Sequence, residues 1–342
     1  MSQVLPRIPL ITRPSATRRG RGNAFLQFLA GRLIRLILTV LTVSVATFFL
    51  ITLLPGDPAY SILPANEVTP QAVARVNREL GLNQPLPERY WHWLWQLAHG
   101  NLGYSYVLNS SVSSQVMQHL PVTVELIALA LLWSLILAIP LGIIAAYLAG
   151  RPADKGISLV NFGLVAVPGF VMALVLILIF SVHLRLLPAS GWVALNQDPV
   201  QNLIHMILPS LSLALTQQAA FSRVLRSEMI TTLQEEYIGM ARAKGLSTVR
   251  ILLAHALRPS SFSLATVVGL QIGVLISGAV IIEQIFSLPG IGSLLLNAIY
   301  SNDYPTVQGV TVFIAVAFVV INLLVDVLYR VLDPRVRLDA RD

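Results

Sequence analysis

Histidine, cysteine and carboxylate side chains are the groups through which most proteins bind metals or attack substrates. This sequence has no cysteine, which excludes disulfides, thiolate nucleophiles and cysteine-bound zinc. Its six histidines do not pair at metal-ligand spacing on one predicted helix; His92 and His99 lie in a tryptophan-rich segment typical of a wetted surface. We find no nucleophile–base pair, which disfavours a membrane enzyme. We therefore predict no catalytic residue, no metal site and no cofactor bound by this chain.

Carboxylates inside membrane-spanning segments would indicate proton or sodium coupling. Glu125 falls near the outer end of one predicted span, and Glu283 falls just beyond another. Asp326 lies four residues before Arg330, an ordinary pair spacing near a helix end. We predict none of these acids at the membrane centre, where a charge costs about 2.5–3.5 kcal/mol. An ion-coupled secondary carrier therefore stays an alternative that the carboxylates do not favour.

Nucleotide and nucleic-acid binding are also disfavoured. No lysine follows a glycine, so the chain lacks the phosphate-binding loop of ATPases. The net charge of +7 and the pI near 10.0 are compatible with a nucleic-acid partner. However, the placement of the basic residues is that of cytoplasmic loops between membrane spans, and we predict no nucleic-acid partner.

Composition predicts an integral membrane protein. Hydrophobic residues make up 55% of the chain and charged residues only 11%, with a mean hydropathy of +0.73. A soluble domain carries about 25% charged residues, because it needs them to cover its surface. This chain therefore needs membrane lipid as a solvent for part of its surface.

Six apolar segments are long enough to cross the roughly 30 Å hydrocarbon core of a bilayer. The fourth is the least apolar, because Pro209 and the polar residues 216–218 interrupt it. The predicted fold is all-α with six transmembrane helices. The spans are residues 36–54, 122–149, 157–182, 203–221, 262–282 and 307–329.

The basic residues predict the orientation of these spans. With the N-terminus in the cytoplasm, all but four of the 23 lysines and arginines fall on the cytoplasmic side. The four exceptions are Arg75, Arg78, Arg89 and Arg185. Both termini are therefore predicted inside. Residues 1–31 are predicted to be a basic, disordered cytoplasmic tail, and residues 32–342 the transmembrane permease domain; an export signal is the alternative for the tail.

The predicted external loop, about residues 55–120, contains signals for short helices. Thr69 and Pro70 are typical of a helix start and Gly81 of a stop, which predicts a helix over residues 70–80. Tyr90 and three of the five tryptophans follow within residues 90–95. Indole rings favour the membrane interface, so we predict an interfacial helix. A platform that stacks a ligand is the alternative.

The predicted cytoplasmic loop, about residues 223–259, is polar and basic but has the signals of ordered structure. Glu235 and Glu236 begin a helix whose end carries Arg242 and Lys244, so charges complement the helix dipole. Gly245 suits the left-handed residue after a helix. Ser247 is then typical of the N-cap of a second helix, which Pro259 is expected to end or kink. This pattern favours a protruding knob that docks on a partner; a simple connector is the alternative.

The same loop resembles the coupling loop of permeases from binding-protein-dependent ABC importers. The segment EEYIGMARAKGLSTVRILLAHALRPS (235–260) has the form found in the dipeptide/oligopeptide (nickel) permease family. Further stretches similar to that family follow its order over residues 32–337. They are LLPGDPAY (53–60), ELGLNQPLPERY (79–90), GNLGYSY (100–106), LPVTVEL (120–126), EQIFSLPGIGSLL (283–295) and NDYPTVQG (302–309).

The resemblance implies a type I importer permease in a prokaryotic inner membrane. It implies a heterodimer with a second permease subunit, two ATPase subunits that carry ATP and Mg, and an external solute-binding protein. It also implies that the loop inserts a short helix into an ATPase groove. The coupling residues would be Glu236, Tyr237, Ala241, Arg242, Ala243, Lys244, Gly245 and Ser247. Gly239 stands where the broader importer motif has glutamate, and Glu236 lies one turn earlier. The resemblance therefore does not decide which acid, if any, contacts the ATPase.

The fifth predicted span carries Gly269, Gly273 and Ser277 at a spacing of four residues. Small residues at this spacing form a smooth helix face that allows close backbone packing. In the family this helix lines the path or meets the partner permease, and packing within its own bundle is the alternative.

Overall fold

The computed structural model describes residues 31, 34–49, 69–79 and 83–332. The predicted N-terminal tail therefore lies outside the described residues, except for Gly31. The side chains of the predicted Asp326–Arg330 pair lie outside them too.

Eleven α-helices and one β-hairpin make up the described part of the chain. The helices are α1 (Ile34–Phe49), α2 (Pro70–Glu79), α3 (Leu86–Ala98), α4 (Val112–Tyr147), α5 (Pro152–Ala166), α6 (Gly169–His183), α7 (Pro199–Leu233), α8 (Glu236–Ala243), α9 (Thr248–Phe286), α10 (Ile291–Tyr300) and α11 (Tyr304–Leu332). Strands β1 (Tyr104–Ser105) and β2 (Ser110–Ser111) pair antiparallel, with Tyr104 opposite Ser111.

Helices α4, α7 and α9 form the centre of the bundle. Two apolar clusters run along their shared faces, one around Leu126, Leu208 and Ile282 and the other around Phe221 and Leu264. A third cluster joins the start of α4 to α10 and α11. The three central helices therefore supply most of the packing in the described residues, and the other helices lie around them.

The predicted helices of the 55–120 segment are present. The hydroxyl oxygen of Thr69 accepts a hydrogen bond from the backbone N–H of Ala72 and so caps α2. On α3, Tyr90 and Trp93 pack against Phe48 of α1, and the Tyr90 hydroxyl lies 2.9 Å from Ser44 Oγ. Trp91 and Trp95 are 63% and 60% exposed. Helix α3 therefore packs one face on α1 and leaves two indole rings exposed.

Three described helices are long and apolar enough to cross a membrane, namely α4, α9 and α11 over Tyr304–Val325. A fourth is reached only if α5 and α6 count as one span. Helix α1 is shorter than a full span over its described residues, and α7 carries too many polar residues for the same criterion. The count of six spans therefore stays a prediction.

The third span, predicted over residues 157–182 as one helix, consists of two helices. Helices α5 and α6 meet at an angle of 104°. The physical reason is Pro168, which disfavours helical backbone at the residue before it; Val167 adopts extended angles, φ −89° and ψ 121°.

Pro259 does not end its helix, which was one of the two outcomes predicted for it. Helix α9 runs through it, with a π-helical turn over Ile251–Ala256 and regular α-helix from Leu257. The N–H that Pro259 lacks would donate to the carbonyl of His255, and that carbonyl accepts a hydrogen bond from the Tyr237 hydroxyl instead.

Candidate functional site

Helix α8 and its glycine turn form the part of the chain that the sequence singles out for docking. The helix begins at Glu236 and ends at Ala243, as the charge pattern predicts. Gly245 has φ +76°, its N–H donates to the carbonyl of Arg242, and the N–H of Leu246 donates to the carbonyl of Ala241. These two bonds form a Schellman motif, which requires a left-handed residue at position 245.

The inner face of α8 is fixed by a small apolar cluster. Ile238 and Ala241 are buried against Ile251 at the start of α9, with Leu233 at the end of α7 and Leu246 packed around them. Leu246 follows the glycine and contacts the helix it has just left, as is typical of a Schellman turn. The cluster therefore joins α8 to both α7 and α9.

The outer face of α8 is exposed and basic towards its end. Tyr237 is 40% exposed and Met240 60% exposed, and Gly239 lies between them with no atom near it. The remaining exposed positions are Glu236, Arg242, Ala243, Lys244, Gly245 and Ser247. Ala241 lies four residues after Tyr237, a spacing that predicts one shared helix face, but it is only 7% exposed and packs inward.

Tyr237 connects α8 to the π-helical turn of α9. Its hydroxyl donates to the backbone carbonyl of His255 over 3.4 Å, and Pro259, four residues after His255, has no N–H to donate to that carbonyl. Burial, with a smaller effect from Glu235, raises the pKa of Tyr237 above its ordinary value, which keeps the hydroxyl protonated. Ser247 precedes the first turn of α9 as predicted, but its side chain makes no capping hydrogen bond.

The glycine stripe of α9 packs within the same chain. A Cβ atom at Gly269 would meet the side chain of Val325, and one at Gly273 would meet the ring of Phe318, both on α11. Ser277 is exposed and takes no part in this contact. Of the alternatives raised by the spacing, the structure therefore shows packing in the bundle for the two glycines.

An ion pair between a buried acid and a half-buried arginine near the end of α7 was not predicted from the sequence. Arg226 donates through Nε to Oδ1 of Asp154 at 2.6 Å and through a terminal nitrogen to Oδ2 at 2.7 Å. Asp154 is 2% exposed and also accepts from the N–H of Gly150 at 2.8 Å. Asp154 and Arg226 lie 72 positions apart, so no local pattern in the sequence pairs them. The sequence signal that was available is an acid in the first turn of an apolar helix.

The prediction that Glu283 lies just beyond its span is wrong. Glu283 lies inside α9, which runs three residues beyond it, and is completely buried. Its Oε1 accepts from the Thr123 hydroxyl at 2.6 Å, and its Oε2 accepts from the N–H of Ser293 at 3.0 Å. Gly290 lies so close that any side chain there would collide with the carboxylate. The hydrogen bonds, with the N-terminus of α10 beside it, stabilise this acid in place of water.

Asp303 is a second buried carboxylate and precedes α11. Its Oδ2 accepts from the hydroxyls of Ser105 at 2.5 Å and Thr306 at 2.6 Å. Ser105 belongs to β1, so the carboxylate ties the hairpin to the start of α11. The sequence motif NDYPTVQG contains this residue, but spacing alone does not pair it with Ser105.

The described residues contain no group of three or more histidine, aspartate or glutamate side chains that could hold a metal ion. The arrangement is one of packed apolar helices with an exposed, rigid helix at one end of α7 and α9. Such a fold defines an integral membrane protein with an exposed helix at one end of its bundle.

The comparisons with known proteins identify the family. A model described as "Binding-protein-dependent transport system inner membrane component" matches residues 138–338, and the N-terminal model of the same kind of component matches residues 25–127. The chain belongs to this family and is a permease subunit of a binding-protein-dependent ABC importer. It is thus a multi-pass membrane protein that works with ATPase subunits and a solute-binding protein.

Curated relatives match along nearly their whole length. A putative peptide transport system permease protein of Brucella abortus (strain 2308) is 42% identical over 309 residues, covering 90% of this chain and 98% of that protein. The dipeptide transport system permease protein DppB of Escherichia coli (strain K12) is 35% identical over 338 residues, covering 91% and 99%. A crystal structure of an amino acid ABC transporter gives a TM-score of 0.47 at 14% identity, covering 65% of this chain and 94% of that one.

Proposed function

We propose that α8 is the helix through which this permease docks on an ATPase subunit. The observation that carries the proposal is the combination of a fixed inner face and an exposed outer face. The glycine turn holds α8 against α7 and α9, so a force on its outer face would reach both long helices. Tyr237, Met240, Ala243 and the basic end of the helix would make the contact, and Ala241 would support it from beneath.

The cargo that we propose is a peptide. The support is the printed names of the relatives, which are peptide and dipeptide transport permeases at 35–42% identity. ATP and Mg would bind to the ATPase subunits, and this chain would hold neither. The absence of a phosphate-binding loop from the sequence supports that division.

We further propose that a second, different permease completes the translocation path and that two ATPase subunits bind the pair. Both termini and α8 would face the cytoplasm, and the solute-binding protein would deliver cargo at the α10 end. The distribution of arginine and lysine in the sequence supports this orientation.

Replacing Gly245 tests the docking proposal. The Gly245→Val variant places a β-branched residue at φ +76°, where only glycine is unstrained, so the turn should open and displace the outer face of α8. We expect the permease to insert in the membrane at normal levels but to lose its ATPase subunits during purification.

The matched control is Gly100→Val. Gly100 has φ +80° and, like Gly245, no atom near its missing Cβ, but it lies between α3 and β1. It imposes the same backbone strain far from α8 and should leave the ATPase subunits bound. Normal co-purification of ATPase with the Gly245→Val permease would exclude α8 as the docking helix.

A further inference from the structure

Helix α5 is held to the bundle mainly by polar contacts. Apart from Leu164, none of its residues belongs to an apolar cluster of the described chain. Three of its apolar side chains are exposed instead, Leu159 at 74%, Val160 at 61% and Phe162 at 61%. Its attachment to the neighbouring α7 therefore depends on a cation–π contact of Arg223 with the ring of Phe162, at 5.8 Å, and on the polar contacts described next.

Five polar side chains form a seam between α5 and α7, which we call the α5–α7 seam: Asp154, Asn161, Gln218, Ser222 and Arg226. The three residues on α7 are spaced by four, so they lie on one helical face, and the two on α5 are two turns apart. The amide nitrogen of Gln218 donates to the Asn161 oxygen at 3.2 Å, and the amide nitrogen of Asn161 donates to the Ser222 hydroxyl at 3.3 Å. The Asp154–Arg226 ion pair ends the row.

Four of the five seam residues are buried, and their hydrogen bonds require a particular geometry. Asp154, Asn161, Gln218 and Ser222 are each at most 8% exposed. Paired hydrogen bonds in a buried site are geometrically demanding, because a small shift leaves polar groups without partners. Sliding of α5 along α7 would break all of these contacts together, whereas a smooth apolar face would permit it. The seam therefore favours movement of the two helices as one body.

Helix α7 leads from the seam to the docking helix. Leu233, at the end of α7 and two turns after Arg226, packs in the cluster beneath α8. At the other end of α5, the 104° break at Val167 and Pro168 separates it from α6. A displacement of α8 would therefore pass through α7 and the seam to α5.

We propose that the α5–α7 seam is the element that transmits movement of the ATPase-docking helix α8 to α5. The residues are positioning residues, since none of them lies on the outer face of α8. The proposal rests on the proposed function of α8. It assigns α5, together with α7, to the part of the permease that moves with the ATPases.

Distance measurement between spin labels tests this in the importer assembled with cysteine-free partner subunits. The chain has no cysteine, so Leu159→Cys on α5 and Thr231→Cys on α7 can be labelled alone. A reference pair, Thr231→Cys with Tyr300→Cys on α10, reports movement of the α8 end relative to the opposite end. Each pair is measured without nucleotide and after trapping with ATP and vanadate.

Two variants cut the seam in different places. Asp154→Asn with Arg226→Gln removes both charges, so neither is left buried and unpaired, and Asn161→Ala removes the two central hydrogen bonds. The control is Lys155→Gln, which removes a positive charge next to Asp154 from an exposed side chain outside the seam. The amounts of permease and bound ATPase are measured in every preparation.

With the native seam, we expect the reference distance to change on trapping and the Leu159–Thr231 distance to stay the same. In both seam variants the Leu159–Thr231 distance should differ between states. Stimulation of ATP hydrolysis by the solute-binding protein should fall about tenfold, within the usual range of allosteric coupling. The control should match the native chain.

Three results would overturn the proposal: a Leu159–Thr231 distance that changes with the native seam, a reference distance that does not change, or seam variants that behave as the native chain does. Loss of permease or of bound ATPase in both variants would also overturn it, because the seam would then only maintain the fold. None of these results bears on α8 docking, which the Gly245→Val variant tests separately.

Discussion

The two ends of the helical bundle stabilise their buried acids in different ways. At the α10 end, Glu283 and Asp303 accept hydrogen bonds only from hydroxyls and backbone N–H groups, and no lysine or arginine contacts either within the described residues. At the α8 end, the buried Asp154 is paired with Arg226. The α8 end also carries the exposed helix α8, which we propose as the docking helix.

The difference teaches how each end can respond to a force. A carboxylate bound to the first N–H groups of a helix fixes the position of that helix, since the acceptors must stay in hydrogen-bond range. Glu283 in this way joins α4, α9 and the start of α10. The ion pair instead joins one whole helix to another, and both can move together without breaking it. The contacts at the α10 end thus fix the start of one helix in place. The ion pair at the α8 end joins two whole helices, α5 and α7, to each other.

Replacing Glu283 should have the largest effect on stability. In Glu283→Leu the Thr123 hydroxyl and the Ser293 N–H would lose their buried acceptor, at about 1–3 kcal/mol for each group. We expect thermal unfolding of the purified permease in detergent at a clearly lower temperature. Glu283→Gln, which keeps one acceptor oxygen and the volume, should lose less.

Equal melting temperatures for Glu283→Leu and the native chain would contradict a fixed α10 end. The matched control is Glu125→Gln, which removes a partly exposed acid from another position of the same helical bundle. It should change the melting temperature less than either Glu283 variant.

Substitution between the two ends should have an intermediate effect. In Gly269→Ala the new Cβ would collide with the branched side chain of Val325, which has little freedom to turn. Overpacking of this kind costs about 1–3 kcal/mol. Ser277→Ala, on the same helix but exposed, is the control and should melt as the native chain does. Equal melting of the two variants would show that α9 and α11 are not closely packed at this point.

The sequence predicted the features that depend on local chemistry. The bounds of α8, the left-handed Gly245 and the short helix at residues 70–79 follow from capping residues and charges within a few positions. Prediction from the sequence failed for features that depend on a contact with a distant part of the chain. Glu283 was placed outside its span because Thr123 and the turn to α10, which make burial possible, are not adjacent in sequence.

The bend at Pro168 was missed for a different reason. Hydropathy measures composition, and α5 and α6 taken together are apolar enough for one span, so only the proline marks the break. The seam lay beyond prediction because its residues share a face only once α5 and α7 are side by side. Among the predicted coupling residues, the four-residue spacing of Tyr237 and Ala241 predicted one shared helix face. In the structure Ala241 packs inward against Ile251.

The smallest effect is expected at the α8 end, from Tyr237→Phe. This change removes one long hydrogen bond to the His255 carbonyl from a side chain that is 40% exposed, so its cost should be no more than about 0.5–1.5 kcal/mol. The melting temperature of the bundle should stay the same, because Ile238 and Leu246 still hold α8. Hydrogen exchange of residues 236–246 should become faster, since α8 opens locally more often.

The pH dependence distinguishes the hydroxyl from the ring. Because the pKa of Tyr237 is raised above 10.0 in the folded chain, its contribution is fully present below about pH 10 and lost as the pH rises through the folded pKa. The native chain and Tyr237→Phe should therefore differ in exchange rate by the same factor at pH 7 and pH 8. A large fall in melting temperature for Tyr237→Phe would show that the α8 end is as tightly fixed as the α10 end.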